Sequence, residues 1–415
     1  MTLLTGPLPG WLAIPALASL LVAAAALLAW RFIRARNMQV WLPAYLRRRK
    51  RPAVAGPTHV MFCFVDHFEP MHGKPPLEVQ RARVDRWCRD YRALASRHRD
   101  ADGRPPQHVF FYPEEEYLEE HLAKIAQLCR DGYGEIEVHI HHDNDTETNF
   151  RHTIQRFKTL LHERHGALPR HPATGELMFG FIHGNWCLDN SSPDGSWCGL
   201  DNELVLLREL GCYADFTMPS APSPTQTRII NSIYYATDDP ARPKSHDRGT
   251  PVRVGGQAQG DLLLVQGPLG LNWRDRRHGF VPRVENADIR ANYPPTPARV
   301  DGWVDAGIHV EGRPEWVFVK IHTHGAPEKE AQVVLGPAVD AMHAHLEQHY
   351  NDGERYVLHY VTAREMFNII KAAEAGLGGN PHQYRDFILP PPQASWAGAH
   401  EDGRRAMTGE MACTG

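Results

Sequence analysis

The chain lacks paired cysteines. Its seven cysteines (Cys63, Cys88, Cys129, Cys187, Cys198, Cys212 and Cys413) are odd in number and irregular in spacing, with no Cys-x-x-Cys among them. That excludes a disulfide framework and fits reduced, cytosolic thiols. The chain also lacks a strong charge of either sign: the net charge is −4 over 415 residues. No global attraction to nucleic acid follows, and nucleic acid is not an expected partner. There is no internal repeat. No basic residue precedes the first apolar run, so the n-region of a secretory signal is missing.

What is present begins with that run. Trp11 to Trp30 carries no charge and has a tryptophan at each end. About 20 helical residues span roughly 30 Å, the thickness of a bilayer core. A single transmembrane helix is expected over 11–30. It follows a short N-terminal segment (1–10) and precedes a basic juxtamembrane linker (31–56). Arg31, Arg34, Arg36, Arg47, Arg48, Arg49, Lys50 and Arg51 all lie after the helix. The positive-inside rule therefore puts the following domain on the cytoplasmic side of the inner membrane, with the linker against anionic lipid.

From Thr58 the pattern alternates between strands and helices, and an α/β fold is expected over 57–385. Strands are expected at 58–65, 108–112, 135–141, 177–182, 229–235, 261–266, 316–321 and 356–360. Helices are expected from Pro113 with Glu114–Glu116 in the first turn, over 146–164, after Asp201 as cap, over 331–350, and after the Thr362-x-x-Glu365 capping box. Such alternation allows a barrel or a doubly wound sheet. The stretch 219–314 reads as long loops with short strands, and 386–415 as a flexible tail.

Histidine is abundant, with 25 residues, and it gathers where strands end. Asp66, His67 and Glu69 follow the first strand. His139, His141, His142, Asp143 and Asp145 close the third. His183, Asn185 and Trp186 follow the fourth, and His322 and His324 a later one. Active sites of parallel α/β folds lie at those ends. Residues i and i+2 of a strand share a face, so His139 with His141, and His322 with His324, can each address one ion. Imidazole with carboxylate suits zinc, or manganese, nickel or iron, and such an ion acidifies water and polarises a carbonyl. Trp186 and Trp197 can stack on a sugar ring or pack as a lid.

The order of these segments resembles the polysaccharide deacetylase superfamily of carbohydrate esterases, over most of residues 56–375. Phe64-Val65-Asp66-His67 stands where that family has Thr-Phe-Asp-Asp. Glu135–Asp143 resembles its His-Ser/Thr-x-x-His motif, with His139 first, and Phe318–His324 its final histidine segment. Tyr360–Glu374 resembles members found with exopolysaccharide genes. His67 replaces the family's second aspartate, Asp143 its second histidine, and His183-Gly-Asn-Trp its Arg-x-Pro.

The resemblance implies an irregular (β/α)7 barrel behind the transmembrane helix. It also implies a metal-dependent deacetylase acting on a polysaccharide or lipid-linked glycan. By its roles Asp66 is the general base. His67, His139 and Asp143 are ligands, with His141 or His142 as substitutes. His322 or His324 is the general acid. His183, Asn185, Trp186 and Trp197 remain for the substrate. Two alternatives stay open: another metal-dependent hydrolase of amidohydrolase or phosphoesterase type, and a non-catalytic polysaccharide-assembly protein on a degenerate barrel. Metal content separates the latter from the enzymes; the sequence leaves the oligomeric state open.

Overall fold

The computed structural model describes residues 10–393. It opens with two helices, α1 (Gly10–Ala35) and α2 (Met38–Arg47). Alternation follows as β1 (Thr58–His67), α3 (Leu77–Ala95), β2 (His108–Pro113), α4 (Glu119–Leu128), β3 (Gly134–Ile140), α5 (Glu147–His165), β4 (Phe179–His183), α6 (Glu203–Glu209) and β5 (Cys212–Asp215). A strand-rich stretch contains β6 (Ile233–Ala236), β7 (Gly249–Pro251), β8 (Leu262–Val265), the hairpin of β9 (Gly270–Arg277) and β10 (Val281–Glu285), and β11 (Asp288–Ile289). The chain ends with α7 (Pro297–Asp305), β12 (Trp316–Thr323), α8 (Glu328–Val334), α9 (Pro337–His349), β13 (Tyr356–Tyr360) and α10 (Ala363–Glu374).

The protein is a mixed α/β structure around one large, mostly parallel sheet. The strand order is β11-β12-β1-β2-β3-β4-β5-β8-β6-β7, parallel as far as β8 and antiparallel beyond. One edge of β1 is shared: Thr58–Phe62 pairs with β13, and Phe64–His67 with β2. The segment 308–311 links β12 to the residues that follow β7. Phe318 N–H donates to Ile308 O (2.8 Å), Glu311 N–H to Val252 O (2.9 Å), and Val254 N–H to Glu311 O (2.8 Å). Lys320 Nζ donates to Phe216 O (2.7 Å) and Met218 O (2.5 Å), just past β5.

Period-two alternation gives each strand an inner and an outer face. Along β1, Val60, Phe62 and Phe64 face the helices and pack with Trp87 and Tyr91 of α3. Met61, Cys63 and Val65 face inward with Phe111, Ile182, Phe216 and Phe318. Along β3, Glu135, Glu137 and His139 alternate with the apolar Ile136, Val138 and Ile140, which belong to the helix-facing core.

Several elements differ from the sequence expectation. Glu114–Glu116 forms a separate turn, because Leu118 is extended (φ −138°, ψ 119°) and α4 starts only at Glu119. Asp201 accepts from Asn190 Nδ2 (2.7 Å) instead of capping α6. Pro337 starts a new helix, so 331–350 divides between α8 and α9. The strand expected at 229–235 shortens to β6, after Asn231 in the left-handed region. The α3 helix was not anticipated. The Thr362–Glu365 capping box caps α10 as expected, and Thr146, expected as the first residue of the helix, is instead the cap of α5.

The segment read as a linker is docked. α1 runs longer than 11–30, and its side chains from Leu17 to Trp30 are exposed; it is long and apolar enough to cross a membrane. α2 buries Met38, Trp41 and Tyr45 against Ala221 and Leu269. Asn37, between the helices, donates from Nδ2 to Pro222 O (2.8 Å). At the other end, Leu389 is fully buried, so the chain stays packed past 386. The rest of the expected tail, from 394, lies outside the described residues, as does Cys413. The six described cysteines are free thiols.

One buried acid links this interior to pH. Asp215, at the end of β5, accepts from Thr217 N–H (3.1 Å) and Oγ1–H (2.6 Å), and burial pushes its carboxyl up to about 7. An unfolded aspartate titrates near 3.9. Between those values the folded chain keeps a proton that the unfolded chain releases, so stability falls as pH rises from about 4 to 7. At about 1.4 kcal/mol per unit the full loss approaches about 4 kcal/mol. Asp215→Asn is expected to flatten this slope in urea unfolding at pH 4.5 and 7.5. Parallel slopes in variant and parent would show that Asp215 is already ionised.

Candidate active site

The inner faces of β1, β3 and β12 carry their histidines to one rim. His139, last of the inward column on β3, is fully buried. Its Nδ1–H donates to Ile182 O (2.7 Å), which leaves Nε2 as a lone pair. That Nε2 has no hydrogen-bond partner among the described residues and lies 3.5 Å from Glu69 Oε1. His141 Nε2 lies 3.7 Å from the same oxygen, while its Nδ1 bonds to Glu115 Oε1. His67 stacks on His324 with ring centroids 4.4 Å apart, and its ring is 4.9 Å from that of His139.

Two ligand-competent groups result: His67, Glu69 and His324, and Glu69, His139 and His141. Within each, donor atoms lie within 4.8 Å of one another. Glu69 belongs to both. Trp186 overhangs the rim, 5.9 Å from His67 and 5.5 Å from His324 between ring centroids. Gly184 lets this loop come close: a Cβ there would lie 2.4 Å from His141 Cδ2 and 2.5 Å from Ile140 O.

The electrostatics are those of a donor set. Burial would raise the Glu69 carboxyl, but the bond to His72 and the nearness of the His139 and His324 imidazoles outweigh it and hold the group well below the usual range. Burial, then the neighbouring imidazoles, lowers His67. Burial pushes His324 down to about 4. Burial would also lower His141, but its bond to Glu115 wins and raises it. The rim therefore sets His67 and His324, both lowered, beside a Glu69 carboxylate held down, with His141 and His72 raised at its edge.

Some expected site residues are elsewhere. Asp66 is one residue before His67 and so faces the opposite side of β1. Its Oδ1 accepts Gly325 N–H (2.6 Å) and its Oδ2 meets His108 Nε2 (3.0 Å), deep in the helix-facing layer. It is not placed to act as base at the rim. Asp143 is exposed and accepts Trp197 N–H (2.6 Å), which makes it a loop clasp and not a ligand. Trp197 is half exposed and Asn185 is exposed, neither in contact with the rim histidines. His142 and His183 turn to the outer side of the sheet and meet each other there, Nε2 to Nε2 at 2.8 Å. His322 faces inward but sits off the cluster: its ring is 6.4 Å from His67, and its Nε2 is 3.9 Å from Asp288 Oδ1.

Glu69, named in the first strand-end cluster but given no role, and Glu115 are the rim residues that sequence reasoning did not assign. Glu69 stands two positions after His67, the spacing already used for the histidine pairs. Glu115 looked like helix-start electrostatics. Its role comes from the turn that replaces that helix.

No protein-family model matches the chain, and no curated protein matches it significantly. Among solved structures it is similar to a chain described as a "putative polysaccharide deacetylase from Mycobacterium smegmatis". The match has 14% sequence identity and a TM-score of 0.39, and it covers 80% of this chain and 96% of that one. An overlap of that size assigns neither activity nor ligands to the rim.

Proposed function

We propose that this chain is a membrane-anchored, metal-dependent hydrolase that removes acetyl groups from a polysaccharide or lipid-linked glycan. One observation carries the reading: His67, Glu69, His139 and His324 converge at the strand ends, with the His139 Nε2 lone pair buried and unclaimed by any described residue. Imidazoles with a carboxylate suit zinc or another first-row divalent ion. The Nδ1–H bond from His139 to Ile182 O fixes the tautomer that a ligand needs. When bound, the ion polarises the acetyl carbonyl and acidifies water. The linkage through 308–311 supports an irregular barrel as the frame.

The chain's own groups supply the rest. His322 or His324 was expected as the acid, but burial lowers both, His324 to about 4. Among the histidines of the cluster, His141 is the one that its bond to Glu115 raises; its Nε2 faces the cluster and its Nδ1 is held by Glu115. It is assigned the return of a proton to the leaving amine or alkoxide. Trp186 offers an aromatic face for a sugar ring. A cleft of about 250 Å³ runs from Phe32 and Arg36, at the end of α1, past Arg277, Arg283 and Arg290 to Asp288. Arg283 and Arg290 pair with Asp275 and Asp288 there, and Arg36 and Arg277 suit an anionic group, such as the phosphate of a lipid-linked glycan.

The test uses the full chain in detergent: metal analysis, together with acetate release from acetylated glycans. A metal-free, inactive protein would sink the proposal. The sharing of Glu69 favours a second reading, in which two ions are bridged as in amidohydrolases or phosphoesterases. Separate loss of one equivalent in His67→Ala and another in His141→Ala would establish it.

The anchor is proposed to sit in the inner membrane with the body in the cytoplasm, on the strength of the charge after α1. Protease added to intact spheroplasts is then expected to spare the body until lysis. Digestion before lysis would move it to the other side.

A further inference from the structure

We infer that His142, His183, Cys198 and Glu203 form a second metal centre, a structural zinc site that staples the loop between β4 and α6. The inference is independent of the proposed activity.

The four donor atoms lie within 4.8 Å of one another. His142 Nε2 is 2.8 Å from His183 Nε2 and 3.1 Å from Glu203 Oε1. His183 Nε2 is 3.4 Å from that oxygen, and Cys198 Sγ is 3.6 Å from Glu203 Oε2. Two imidazoles, a thiol and a carboxylate are four zinc donors, the number that a closed tetrahedral site requires.

The surroundings have the form of an outer ligand shell. His183 Nδ1–H donates to Gly184 O (2.5 Å), so its Nε2 is a lone pair aimed at the other donors. His142 Nδ1 lies 3.2 Å from Asp145 Oδ2, a carboxylate behind an imidazole. Glu203 Oε2 accepts Asp189 N–H (2.7 Å). Such partners set ring orientation and tautomer in zinc sites.

Position separates this centre from the rim. His183 follows the inward-facing Ile182 and therefore points to the helix side, beside Phe181, and His142 packs on Phe150 of α5. The side chains of His183 and Glu203 are fully buried, and Cys198 is buried with them. Three donors are buried and only the His142 side chain is partly exposed, at 8%, as suits a structural site more than a catalytic one.

The loop has reason to need a cross-link. Over 184–202 it carries Asn185, Trp186, Asp189, Asn190 and Trp197 at positive φ, with Gly195 and Gly199. Irregular segments of that length are uncommon in compact domains unless something holds them. One ion would tie the residues after β3 (His142), the end of β4 (His183), the far side of the loop (Cys198) and the first turn of α6 (Glu203). Trp186 would be positioned over the rim as a result. Binding releases the Cys198 thiol proton, and any proton shared between the imidazoles, to solvent.

The test is metal stoichiometry and cobalt spectroscopy on the full chain in detergent. Relative to the parent, Cys198→Ala and His183→Ala are each expected to lose one equivalent of zinc and to melt at lower temperature. His139→Ala should keep that equivalent. Cobalt-loaded protein should show a sulfur-to-cobalt charge-transfer band that Cys198→Ser lacks. If Cys198→Ala does not fold, Cys198→His exchanges one zinc donor for another and should keep both fold and zinc without the band. Equal zinc in parent and Cys198→Ala, a parent without zinc, or cobalt-loaded protein without the thiolate band would each overturn the inference. Loss of the rim metal alone would leave it standing.

Discussion

His139→Ala is expected to strip the rim of its metal and to abolish acetyl release, while the fold and the second centre persist. Among the proposed ligands His139 is the most fully prepared: buried, its tautomer fixed by Ile182 O, its free nitrogen 3.5 Å from Glu69 Oε1. Losing even an outer-shell partner typically costs about 10–100-fold in metal affinity, and removing the donor itself should exceed that. His141→Gln makes the contrasting case. With His141 as proton donor, the variant should keep its metal and lose roughly 10²–10⁴-fold in kcat. Metal analysis beside acetate-release kinetics distinguishes the two. A His139→Ala protein with parental metal content would refute the ligand assignment, and a His141→Gln protein at full speed would refute the acid.

The second large effect concerns stability. Arg364, near the start of α10, is buried and binds Glu135 through Nη2 (2.9 Å) and Nε (3.1 Å). Its Nη1 reaches Asp386 Oδ1 (2.7 Å) and Leu389 O (2.8 Å). Arg364→Met would leave the Glu135 carboxylate buried without its guanidinium and release the segment 385–389 from α10. Breaking a buried pair on one side costs about 3–5 kcal/mol. Urea unfolding should show a loss of that order. The double variant Glu135→Met, Arg364→Met should be less damaged than Arg364→Met alone, because the Glu135 charge leaves together with its guanidinium partner. A single variant within about 1 kcal/mol of the parent would mean that water already reaches the pair.

The strand alternation that pairs His139 with His141 was legible, because period two depends only on backbone geometry. The same rule separates Asp66 from His67. Assigning both to one site follows motif position where geometry decides otherwise. The helix α3 carries its core residues Val84, Trp87, Tyr91 and Leu94 at helical spacing, but interleaved arginines obscure the stripe. The turn at Glu114–Glu116 was not legible: helix-start chemistry is local, and it yields to tertiary contacts such as Glu116 Oε2 accepting Met71 N–H (2.6 Å). The second centre was beyond reach for another reason. Its donors come from four separate segments between 142 and 203, and only the folded sheet and the loop over it bring Cys198 and Glu203 to the two histidines.

The docking of α2 has a consequence for how substrate would be met. A flexible tether lets a domain sweep a volume above a bilayer, sampling many heights and tilts. Here Asn37 is bonded to Pro222 O, and Trp41 is buried beneath the body. With α1 in a membrane, the rim is therefore held at one height and one tilt, like a reading head on a fixed arm. Lateral diffusion in the plane then becomes the dominant search. Groups carried at that height on membrane-borne molecules are sampled continuously, while those nearer to or farther from the lipid pass unread.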